Sequence, residues 1–220
     1  MTSRLDSKWT FAGLAIALLG IPAVTTLHRM LAPDPMASSA IVVRELSILA
    51  ITGLLLWLVV SRERLPLSSI GIRTDRLGRS LGWGILFAVV SFAAAIGMLA
   101  AYSALGIHYG EGQSISRTLP VTSLTVLRAG ISEEVMYRGY AIERLQSLTG
   151  SKWIAAGIAL VLFAAFHFRQ GWAGMLIALV LGAVLTAFYL WKRDLVANII
   201  AHFTVDFVPN VLLPLLGAGS

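Results

Sequence analysis

Seven apolar runs crowd this 220-residue chain, near residues 9–31, 41–60, 81–105, 121–145, 153–168, 172–191 and 195–216. Runs of about 17 to 25 apolar residues have the length of a bilayer-crossing helix, and a backbone in lipid must satisfy its own hydrogen bonds. The expected fold is therefore all-α, a polytopic transmembrane helical bundle of about seven spans, within a range of about six to eight. With only 13% charged residues, against about 25% in a soluble domain, no soluble second domain fits. The whole of 1–220 reads as a single membrane-embedded domain. Breakers separate the early runs: APDP after the first, RERLPLSSIGIRTDRLGR after the second and GIHYGEGQSISRTLP after the third. The fifth run is short, which predicts that its ends lie inside the protein.

The formal charge of +6 does not point to nucleic acid, because the basic residues sit in short loops between apolar runs rather than in one patch. They read as topology signals. Placing the N-terminus in the cytoplasm puts Arg4, Lys8, Arg62, Arg64, Arg73, Arg76, Arg79, Arg144, Lys152, Lys192 and Arg193 on that side, against Arg29, Arg117 and Arg169 opposite. An N-in, C-out chain is expected. The first run is long for a signal-peptide core, so an uncleaved first span is expected too. Cysteine is absent, which excludes disulfides, thiolate metal sites and a cysteine nucleophile.

Against this background the stretch GISEEVMYRGYAIERL, residues 130–145, is costly, since intramembrane charge must pair or function. At about 100° per residue, Glu134 and Arg138 share a helix face, while Glu133 points away from Glu134. That leaves Glu133 without an obvious partner on its own helix, suited to taking and returning a proton, unless a neighbour such as Arg128 absorbs it; an ion cluster that only glues helices together is the competing reading. Two further polar sites follow. His167 lies four residues after Phe163 at the end of the fifth run, and Asn198, His202 and Asp206 form a four-residue stripe on the seventh. A carboxylate four residues from an imidazole can fix its tautomer. Counted along the helices, Glu133 and His167 fall near or beyond mid-membrane and His202 somewhat shallower.

These residues resemble the intramembrane proteases related to CAAX prenyl endopeptidases and bacteriocin-processing enzymes, the CPBP or Abi family. EEVMYR at 133–138 matches its EExxxR motif, FAAFH at 163–167 matches FxxxH, and HFTVD at 202–206 matches HxxxN/D, in the family's order and on three different runs. The resemblance covers the C-terminal half, residues 121–214, as the motif-bearing catalytic core. Asp206 stands where the prenyl-protease branch generally has Asn. The resemblance implies peptide-bond hydrolysis at the bilayer, with Glu133 as general base on a water held by His167, and His202, oriented by Asp206, donating to the oxyanion. Glu134 and Arg138 would hold their helix in register.

No cofactor is favoured, although Glu133, His167 and His202 could instead supply three ligands to zinc. The expected partners are the lipid bilayer and a membrane-associated peptide or lipidated protein, and the expected location is a multi-pass position in a bacterial plasma membrane. Two readings of other classes compete: a non-catalytic immunity or scaffold protein holding another protein's transmembrane segment, and an ion-coupled transporter. The absence of a visible inverted repeat weakens the transporter.

Overall fold

Pro, Gly and Ser cut the apolar sequence into helices at defined places, and the computed structural model describes residues 7–107, 109 and 118–217. Helix α1 spans Ser7–Leu31, α2 Ser38–Ser61 and α3 Leu77–Ala104. Helix α4 runs without a break through residues 119–149, wound as an α-helix over Leu119–Arg128, as a π-helix over Ala129–Ile142 and as an α-helix again over Glu143–Thr149. Helix α5 is Lys152–Ala165, α6 is Gly171–Lys192, and α7 runs over Leu195–Leu215 with a π-turn at Val208–Leu212. Short 3-10 turns occupy Leu67–Ile70 and Phe168–Gln170, and no strand occurs among the described residues. Side-chain caps start two of the helices: Ser151 accepts from the Ile154 N–H and Asp194 from the Ala197 N–H.

Five helices, α1, α2, α3, α6 and α7, are long and apolar enough to cross a membrane. The seven-span expectation is met to that extent, and the two remaining helices differ for separate reasons. Helix α4 is long but carries Arg128, Glu133, Glu134, Arg138, Glu143 and Arg144. Helix α5 has 14 residues and reaches about 21 Å, short of the roughly 30 Å hydrocarbon core. Its end, expected at residue 168, comes at Ala165.

The charge on α4 is tolerated because α4 is the axis of the bundle. It packs against α1, α2, α5 and α7, and of the residues in its π-wound section only Ile131 and Glu133 are less than buried. Val135, Met136, Tyr140 and Ala141 join Leu55 and Leu58 of α2 and Ala155, Ala159 and Phe163 of α5 in the main core. Most exposed large apolar side chains lie on other helices, such as Phe11, Val43, Ile85, Val89, Trp153 and Val161, with Leu127 and Leu148 on the flanking α-helical parts of α4. Small residues let these backbones approach closely without a hydrophobic drive between helices. A Cβ on Gly84 of α3 would stand 3.0 Å from the Ala197 carbonyl oxygen of α7, so the α3–α7 contact needs glycine there.

The loop that joins α2 to α3 is tied to the same end of the bundle as the starts of α5 and α7. Gly71 takes a left-handed backbone, φ 84°, and its carbonyl accepts from the Leu195 N–H at 2.9 Å. Arg62 stacks over Trp9 of α1 and Lys192 over Trp83 of α3. Lys8, Arg62, Arg64, Arg73, Arg76, Arg79, Arg144, Lys152, Lys192 and Arg193 thus gather at one end, while Arg29 and Arg169 lie at the other. Arg4 and Arg117, assigned to the two sides from sequence, lie outside the described residues.

Candidate active site

Glu134 is the hub of the buried charge. Its side chain has no exposure, its Oε1 accepts from Arg138 Nη1 at 2.7 Å, and the same oxygen meets His202 Nδ1 at 2.8 Å. The Asn198 Nδ2 reaches its Oε2 at 3.2 Å and also donates to the Leu185 carbonyl at 2.8 Å. Arg138 donates in addition to the Gly182 carbonyl at 3.2 Å and lies 4.2 Å from the Phe163 ring centroid. Glu134 therefore does more than hold α4 in register. Across 68 residues of chain it also meets the ring of His202 at Nδ1. Asp206 lies at the other nitrogen, with Oδ2 3.5 Å from Nε2.

Glu133 has a partner on its own helix after all. Arg128 Nη1 donates to its Oε1 at 2.8 Å. In α-helical winding residues five apart diverge, whereas π winding closes hydrogen bonds on the fifth residue and brings them towards one face. The π section begins at Ala129, between the two residues. Arg128 also donates through Nε to Glu45 of α2, which in turn pairs with Arg44. Glu45 is fully buried, and sequence reasoning passed over it. The signal was present as an Arg-Glu pair inside the second apolar run. With Oε1 held by Arg128, the second oxygen of Glu133 is the one directed at the histidine, 3.9 Å from His202 Nε2.

His167 follows the end of α5 instead of riding on its face, yet its Nδ1 still donates to the Phe163 carbonyl at 2.8 Å. A carbonyl only accepts, so this bond puts the proton on Nδ1 and leaves the Nε2 lone pair open. Non-helical backbone at membrane depth is tolerated where it lines a cavity. Here it does: Glu133, His167, His202 and Asp206 line one cavity of about 1260 Å³, together with Arg128 and Tyr137. Glu134 and Arg138 stay behind the wall, buried. Among the described residues no three His, Asp and Glu side chains are drawn together as a metal-ligand set.

The arrangement offers chemistry suited to proton transfer: a carboxylate oxygen, an imidazole lone pair and a second imidazole ring share one recess inside an apolar bundle. Residues 114–208 match the family model described as Rce1-like, type II CAAX prenyl endopeptidase Rce1-like. Neither a curated protein nor a solved structure matches the chain.

Proposed function

With its motif-bearing half in the family of CAAX-type intramembrane proteases, we propose that this protein is an intramembrane endopeptidase in which Glu133 is the general base. The observation that carries the reading is the convergence of Glu133 of α4, His167 just beyond α5 and His202 of α7 on one cavity. A water held by the open Nε2 of His167 gives its proton to the free Oε2 of Glu133 as its oxygen attacks the scissile carbonyl carbon. The proton passes from Glu133 to the leaving amine as the C–N bond breaks. His202, with Nδ1–H engaged by Glu134, meets the oxyanion through a protonated Nε2, and the carboxylates of Glu134 and Asp206 offset the imidazolium charge. The substrate is a membrane-associated peptide or a lipidated protein tail. Seven helices crossing or entering the membrane in an N-in orientation, in a bacterial plasma membrane, complete the proposal; the clustering of basic residues at one end supports the orientation.

Glu133→Gln keeps the shape of the side chain and removes the base. Hydrolysis of membrane peptides by purified protein in liposomes is expected to fall by about 10²–10⁴-fold, with thermal stability nearly unchanged. Undiminished cleavage by this variant excludes Glu133 as the base. The proposed mechanism needs no metal, so chelator dialysis is expected to leave turnover intact. Activity lost to chelator and restored by zinc assigns Glu133, His167 and His202 to the metal instead.

A further inference from the structure

The cavity runs from one end of the bundle past its middle, as deep as Leu185 of α6 and His202 of α7. Its walls come from α1 and the turn after it (Thr25, Met36), the start of α2, the middle of α3, α4 as far as Tyr137 (Thr122, Thr125), the end of α5, the middle of α6 and α7 from His202 onward. No described residue of the basic end lines it. That end is tied by polar contacts, some buried and one exposed. Glu63 accepts from Arg144 at 2.8 and 2.9 Å and from the Tyr140 hydroxyl at 2.8 Å, the Ser80 hydroxyl reaches Asp194 at 2.7 Å, and Tyr189 and Arg193 both hold Glu143. Arg144 and the Glu63 side chain are almost wholly shielded from solvent. Among the described residues, the cavity that holds Glu133 reaches the end that carries Met36 and Gln170 and takes no lining from the end that carries Arg62 and Arg193.

Lys and Arg in short loops mark the cytoplasmic side of a membrane protein, and here they mark the end that gives the cavity no lining. We infer that the site opens to the extracytoplasmic side and takes its peptide bond from the outward-facing segment of a membrane-anchored polypeptide. The word substrate rests on the hydrolase reading above; the direction of opening does not.

The chain contains no cysteine, so single cysteines can be added without a background. Met36→Cys and Thr125→Cys sit on the cavity wall, and Arg76→Cys and Lys152→Cys at the basic end, all away from the proposed chemistry. Spheroplasts of an expressing bacterium are treated with a membrane-impermeant maleimide before and after permeabilisation. Labelling of Met36→Cys and Thr125→Cys in intact spheroplasts, with Arg76→Cys and Lys152→Cys reacting only after permeabilisation, is expected. The reverse pattern overturns the inference, and so does labelling of cavity and basic-end cysteines from one side. If Thr125→Cys reacts only in denatured protein, the recess is closed to solutes from that side and the inference fails as well. Labelling needs no turnover, so these results stand apart from the fate of Glu133→Gln.

Discussion

Two sets of buried charge sit in the same bundle and are built to opposite ends. At the basic end, Glu63, Glu143 and Asp194 have both oxygens or their hydroxyl and backbone partners engaged, and the cluster seals the helices together. In the middle of α4 the pattern splits within two adjacent residues. Glu134 is held by Arg138, Asn198 and His202, whereas Glu133 has one oxygen on Arg128 and the other facing the cavity. A charged group whose every partner is present holds structure; one left with a free, directed lone pair beside water is equipped for chemistry. The difference is not in residue type, since both sets use Glu, Arg and a ring.

If that contrast is right, substitutions should separate stability from turnover. The largest expected effect on stability comes from Arg138→Met, which strands Glu134 without its cation: removal of one partner from a buried pair costs about 3–5 kcal/mol, read as a fall in thermal midpoint in detergent together with loss of cleavage. Gly130→Val tests the mechanical coupling between α4 and α7. A Cβ there would stand 3.1 Å from the backbone nitrogen of Phe203, beside His202, and overpacking of this kind costs about 1–3 kcal/mol. Cleavage is expected to fall further than stability because the Glu134–His202 bond lengthens; an unchanged rate would show that the bond is not needed. At the basic end, Tyr189→Phe removes one hydroxyl from Glu143, worth about 0.6 kcal/mol in a membrane bundle. Its cleavage rate is expected to match the wild type, and a large drop would break the division between the two ends.

Much of this was legible along the chain. Hydropathy placed α1, α2, α3, α6 and α7 to within a few residues of their ends, because a bilayer sets helix length directly. The three motifs picked out Glu133, His167, His202 and Asp206, which share the cavity, and Glu134 and Arg138, which lie behind its wall, since a charge in an apolar run is expensive enough to be conspicuous. What escaped was pairing across distance. Glu45 lies 83 residues from the Arg128 it binds, and Glu134 lies 68 residues from the His202 ring it meets. Arg128 was legible as a neighbour that could absorb Glu133, but not as its partner along α4: a helical wheel assumes α winding, and the π section alters the faces.

The sequence by itself determined that this chain is a helical membrane protein with three polar motifs on separate helices, because composition and periodicity are local quantities. Only the tertiary structure decided which oxygen of Glu133 is free, which carboxylates meet His202 and which side chains line the cavity. Those depend on neighbours brought together by packing around α4, and no pattern along one helix records what stands opposite it.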